Sequence, residues 1–172
     1  PRSTLFPYTT LFRSLRPESF DRTLPPALQS PWFVPHVAVY LAGYAALGLA
    51  AGSAAWALGR ARFVRTGIME EEAARSDGLI RTGTALLTIG MVMGALWAKT
   101  AWGDYWTWDP KETWALVSWI AYVALLHAGR DRRMTARTTL LLRAACFAGI
   151  LACWFLVNAL PSASASAHAY SK

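Results

Sequence analysis

The chain has 172 residues, of which 55% are hydrophobic and only 16% charged, where a soluble globular domain carries about 25% charged residues. That is too little charge to cover a water-soluble domain of this size, so the composition points to a membrane protein. The formal net charge of +7 does not indicate a nucleic-acid partner, because the basic residues sit in clusters between long apolar runs, as they do around membrane spans.

In chain order, Pro1 to Ser14 has no initiator methionine and contains a near-repeat, Thr4-Leu5-Phe6 and Thr10-Leu11-Phe12. It is too short and polar to span a bilayer and lacks the order of a signal peptide. The segment resembles translated adapter sequence. It is expected to be non-native, and the chain to be truncated at its N-terminus. Residues 15–36 form an external lead-in, and 37–172 a membrane domain. Four uncharged stretches follow: Val37 to Gly59, Thr82 to Ala98, Thr113 to Gly129 and Ala144 to Leu160. At about 23, 17, 17 and 17 residues they predict four membrane-crossing helices, the last three near the lower length limit. None alternates as a barrel strand does, so the expected fold is an all-α polytopic bundle.

Arginine clusters orient these spans. Arg60, Arg62, Arg65, Arg75 and Arg81 lie between the first two, and Arg130, Arg132, Arg133, Arg137 and Arg143 between the last two. Both links are expected on the cytoplasmic side. The lead-in, the loop Lys99 to Glu112 and the tail after Pro161 then lie outside. Cys146 and Cys153, seven residues apart, form neither a redox nor a zinc motif, and read as small apolar fillers on one helix face.

The outer loop holds the densest chemistry. Six of the nine tryptophans fall between Trp97 and Trp119, more than interfacial anchoring of helix ends requires. Asp109, Pro110 and Glu112 have the order of an N-cap, a first-turn proline and a capping box, so a helix starts at the end of the loop. Its N-terminal N–H groups favour anions. A flat apolar ligand with acidic edges fits such a platform: the ring on the indoles, the carboxylates near Lys111 or the helix end. Haem has that form.

The run Trp102-Gly103-Asp104-Tyr105-Trp106-Thr107-Trp108-Asp109-Pro110-Lys111-Glu112-Thr113-Trp114 resembles the WWD signature of the haem-handling proteins of cytochrome c biogenesis. The stretch from Asp109 to Trp114 is similar to the CcsA (ResC) branch of that superfamily. The likeness extends through Leu28-Gln29-Ser30-Pro31-Trp32 and His36 on one side, and through His127 to His168-Ala169-Tyr170 on the other.

The resemblance implies that His36 and His168 are outer axial ligands to haem iron, with Trp102, Trp106, Trp108, Trp114, Asp109 and Lys111 around the ring. It implies that His127, near the cytoplasmic end of the third span, helps hold haem inside the membrane; the residues alone also allow an ordinary helix-end histidine. The implied ligand is haem b, carried as substrate. The implied partners are a CcsB-type membrane protein, thiol-reducing proteins and an apocytochrome c with a Cys-x-x-Cys-His segment. The expected role is in a cytochrome c synthase complex of a bacterial cytoplasmic or thylakoid membrane. No catalytic nucleophile or base is expected on this chain, only orientation and effective concentration. The alternative is a haem chaperone or exporter of CcmC type without ligase function.

Reporter fusions test the orientation. Fusions after Arg65 and Arg133 are expected to report cytoplasm, and fusions at Tyr105 and Ala167 the outer side. A cytoplasmic Tyr105 would reverse the reading of the arginine clusters.

Overall fold

The computed structural model describes residues 26–63, 67–129 and 134–155. The expectations for Pro1 to Ser14, for the first half of the lead-in and for His168 lie outside those residues. After a short 3-10 turn at Pro26–Gln29 come four helices: α1 (Phe33–Arg60), α2 (Ile68–Trp102), α3 (Pro110–Ala128) and α4 (Ala136–Phe155). The described residues are all-helical, as the apolar runs predict.

Three helices, α1, α2 and α4, are long and apolar enough to cross a membrane. The stretch expected as the third span is helical, but α3 is not among those three. It has 19 residues, with Lys111 and Glu112 in its first turn and His127 in its last. The second span is much longer than its apolar core implied. Its 35 residues measure roughly 52 Å, against a hydrocarbon layer of about 30 Å. The extra turns, residues 68–81, hold Glu70, Glu71, Glu72, Arg75 and Arg81, which are good helix formers once a helix is under way.

Helices α1 and α2 form the most extensive pair, and small residues set their distance. On α1 the buried positions include Gly43, Ala50, Ala51, Ala54 and Ala57; on α2 they include Gly83 and Gly90. A Cβ built on Gly83 would fall 2.5 Å from Leu47 Cγ and 3.2 Å from the Gly43 carbonyl oxygen. Without hydrophobic drive between helices in lipid, such close backbone packing is a main source of association. All four helices meet at Leu47, Ala50, Ile80, Leu87, Tyr122, Leu125 and Ile150. A smaller cluster, Ala54, Ala57 and Leu140, packs further along.

Several hydroxyls inside the bundle are satisfied locally. Ser76 donates to the Glu72 carbonyl at 2.7 Å, Thr84 to Ile80 at 2.7 Å and Thr88 to Thr84 at 2.9 Å, each reaching one turn back. Trp119 Nε1 donates to Thr88 Oγ1 at 2.8 Å and ties α3 to α2.

Arg143, assigned to a cytoplasmic link by its charge, lies within α4 and is 5% exposed. Its guanidinium donates to the Ala73 carbonyl at 2.8 Å, to Ser76 Oγ, and to Asp77 at 3.3 Å. Asp77 also pairs with Arg81 at 2.7 Å. The arginine thus fastens α4 to the polar extension of α2. Arg143→Ala is expected to destabilise the bundle by about 1–3 kcal/mol. A fully enclosed pair would cost more, but the Asp77 side chain is 38% exposed and keeps Arg81. Thermal unfolding of the detergent-solubilised protein checks this, with exposed Arg137→Ala expected within about 0.5 kcal/mol of the parent.

Candidate functional site

At the end of the bundle that carries the tryptophan loop, α2 stops at Gly103, whose φ of 92° is a left-handed helix end open to glycine. Lys99 holds the turn: its carbonyl accepts from Gly103 N–H at 3.2 Å, and its ammonium donates to the Gly103 carbonyl at 2.5 Å. The same ammonium lies 5.3 Å from the Tyr105 ring centroid.

The loop closes on α3 through the capping box expected from its sequence. Asp109, 7% exposed, accepts from Lys111 N–H at 2.9 Å. Glu112 Oε2 collects the Thr107 N–H at 2.8 Å, the Thr107 hydroxyl at 3.3 Å and the Asp109 N–H at 3.2 Å. Between these anchors Trp108 has φ of 59°, a left-handed conformation that costs a non-glycine residue about 1–3 kcal/mol. Its carbonyl accepts from Thr113 Oγ1 at 3.3 Å.

Behind the loop is a cavity of about 510 Å³, within the size range of sites that bury a drug-sized ligand. Its walls come from every helix and from the loop. His36, Tyr40 and Tyr44, one turn apart on α1, and Gly94 and Trp97 of α2 line it; so do Tyr105, Trp106, Lys111, Glu112, Cys153 and Trp154, among others.

The His36 ring is closely held. Its Nδ1 lies 2.9 Å from the Gly90 carbonyl oxygen. A carbonyl only accepts, so Nδ1 carries a hydrogen; in the neutral ring this leaves the lone pair on Nε2, the arrangement typical of metal-ligating histidines. Trp97 stacks with it at 5.6 Å and 23°, and Tyr40 meets it edge-on at 4.9 Å. Trp97 Nε1 in turn donates to the Ala27 carbonyl at 2.6 Å, which fixes the lead-in against α2.

The structure thus brings together three of the residues singled out from sequence: His36, Trp106 and Lys111. The other described ones stand elsewhere. Trp102 packs edge-on against Trp97 at 4.8 Å, outside the cavity lining. Trp108, 69% exposed, meets Trp106 edge-on at 6.0 Å, and Trp114 is also exposed. Asp109 serves the helix start. His127 is exposed at the opposite end of α3, with Nδ1 2.8 Å from the Val123 carbonyl oxygen. Sequence reading missed Tyr40, Tyr44 and Trp97; the four-residue spacing from His36 is the one signal that marks the two tyrosines.

Haem is the ligand that the sequence raises, and the lining suits it. An imidazole in its ligating tautomer, apolar aromatic walls and one cationic side chain match iron, macrocycle and propionates respectively. Trp106 also carries a buried Nε1 with no hydrogen-bond partner among the described residues, a donor suited to an acidic ligand edge.

These features define a helical membrane protein with an aromatic, imidazole-bearing chamber at one end of its bundle. The chain belongs to the cytochrome c assembly protein family, whose model matches residues 3–163. It is 33% identical over 181 residues to the cytochrome c biogenesis protein CcsA of Prochlorococcus marinus strain MIT 9313, covering 84% of this chain and 57% of that protein. The CcsA protein of Parasynechococcus marenigrum strain WH8102 is 34% identical over 168 residues, covering 80% of this chain and 55% of the relative. For that of Synechococcus sp. strain RCC307 the values are 34% over 174 residues, 78% and 56%. The chain therefore spans somewhat over half the length of the curated relatives it matches.

Glu112→Ala is expected to release the loop, at a cost of about 1–2 kcal/mol for the lost cap contacts. Hydrogen exchange would show it as faster exchange at the Thr107 and Asp109 amides, with the centres of α1 and α2 unchanged. Parent-like protection at both amides would show that Glu112 does not hold the loop.

Proposed function

We propose that this chain binds haem and presents it for covalent attachment to an apocytochrome c on the outer side of the membrane. The observation that carries the reading is the His36 imidazole, fixed in its ligating tautomer inside an aromatic cavity. Family membership supports it. His36 supplies one axial nitrogen, and His168 of the tail supplies the second. Trp106 and Tyr105 cover the ring, and Lys111 pairs with a propionate. Asp109 and Glu112 set the loop, while Trp102, Trp108 and Trp114 surround it. His127, at the far end of α3, belongs to a separate intramembrane site through which haem b arrives. In this arrangement α3 crosses the membrane as a fourth span, with the loop outside and His127 towards the cytoplasm.

The chain contributes position rather than acid–base chemistry. The apocytochrome's two thiols add across the haem vinyl groups, and its histidine replaces one axial imidazole. Holding haem and peptide in one orientation supplies the advantage in effective concentration. A CcsB-type membrane partner completes the synthase, and thiol-reducing proteins keep the substrate cysteines free. The assembly resides in a bacterial cytoplasmic or a thylakoid membrane.

His36→Ala is expected to lower haem retention in the purified full-length protein at least about tenfold and to stop cytochrome maturation. Added imidazole is expected to restore part of both. His127→Ala is expected to leave little haem on the protein, because loading fails. Absorption spectra and a haem-stained cytochrome assay measure these effects. Normal haem content and maturation in His36→Ala would remove this histidine from the site.

A further inference from the structure

We infer that Gly94 is the positioning residue for the His36 imidazole, fixing the ring plane and the tautomer with which His36 meets haem. This rests on the haem reading above, but its test does not.

The geometry keys two residues of α1 to two of α2. His36 and Tyr40 are one helical turn apart, and so are Gly90 and Gly94. A Cβ built on Gly94 would stand 2.7 Å from His36 Cε1, 3.0 Å from Nδ1 and 3.5 Å from Nε2. Built on Gly90, it would stand 2.7 Å from Tyr40 Cδ2. Atoms at such separations overlap, so each ring occupies space that exists because the facing residue lacks a side chain. At Gly94 the three nearest atoms all belong to the imidazole.

Comparison with Gly83 shows why this is a matter of ligand placement. A methyl at Gly83 meets Leu47 and, at 3.2 Å, the Gly43 backbone, so α1 and α2 have to part. A methyl at Gly94 meets the far end of a side chain with two rotatable bonds. The ring yields and the helices stay. Turning it out of the way removes Nδ1 from the Gly90 carbonyl, 2.9 Å away, and disturbs the stack on Trp97. The Nδ1–H bond to a carbonyl holds one tautomer and raises the basicity of Nε2. Gly94 therefore governs ligand strength and ring orientation without touching haem itself.

The experiment uses the full chain in lipid nanodiscs, with ¹⁵N-labelled histidine, before and after haem loading. In the haem-free parent, the His36 signal, assigned by its loss in His36→Gln, is expected to show hydrogen on Nδ1. In Gly94→Ala it is expected to shift to a mixture of tautomers, while Gly83→Ala keeps the parent signature despite lower stability. After loading, Gly94→Ala is expected to bind haem about 10- to 100-fold more weakly, with altered low-spin ferric resonance positions. A Gly94→Ala protein whose haem-free His36 signal matches the parent overturns the proposal, whatever its haem content. An unchanged haem spectrum in His36→Ala instead overturns the haem-ligand reading. Should Gly94→Ala fail to accumulate, adding His36→Ala removes the clash and is expected to restore it; continued loss in the double variant also overturns the proposal.

Discussion

The close approach of α1 and α2 is the constraint on which the rest of the molecule depends. Lipid gives apolar helices no reason to prefer each other over acyl chains, so they associate where backbones come near enough for dense contact. Here Gly43 and Gly83 remove the side chains that would hold the two helices apart. The seam continues along α1 through Ala50, Ala54 and Ala57, all fully buried. Towards the other end it meets residues too large for a simple small-on-small seam. Tyr40 and His36 enter the contact, and Gly90 and Gly94 make room for them. The placement of the imidazole is thus part of the helix packing, and the cavity beside it is lined by residues of both α1 and α2.

A second constraint shapes the other wall. Near a membrane, backbone groups outside a helix need partners of their own. The segment between α2 and α3 meets this need with few residues: Lys99 at its start and Glu112 at its end. One carboxylate oxygen serves two amides and a hydroxyl. That tight arrangement forces Trp108 to positive φ and turns its indole outward, while Trp106 remains at the cavity. Two tryptophans two residues apart therefore face different surroundings, and the difference comes from the helix cap.

Much of this was legible in the sequence. The four helices follow from four uncharged runs, and the start of α3 from Asp109, Pro110 and Glu112, because these features are local. The length of α2 was not legible. A search for uncharged residues stops at Arg81, whereas the helix ladder continues through charged residues with good helical propensity. The role of Arg143 was hidden for a related reason. Its charge assigned it to a link, while its partners Ala73, Ser76 and Asp77 lie on another helix. The cavity was half visible. The tryptophan density marked the loop, and His36 stood out as one of three histidines. That Tyr40, Tyr44 and Trp97 line the same chamber depends on which face α1 turns to α2, and small residues spread over both helices decide that jointly.

The positions of the histidines also constrain how any haem ligation is shared. His36 is at the loop end of the bundle, beside Lys111 and Glu112. His127 lies fifteen residues along α3 from Glu112, roughly 22 Å away on the helix axis. One iron cannot be bound by both imidazoles across that distance. If both bind haem, they do so at separate moments or on separate molecules, and a porphyrin passing between them has to travel most of the length of α3. Tyr40 and Tyr44 extend the aromatic lining from His36 inward, and Trp154 meets Tyr44 edge-on at 5.8 Å. The chamber thus deepens along α1 and α4 towards the bundle interior. A ligand arriving from the His127 end would meet these rings before it met His36, and the imidazole held by Gly90 and Gly94 would be the last group to engage it.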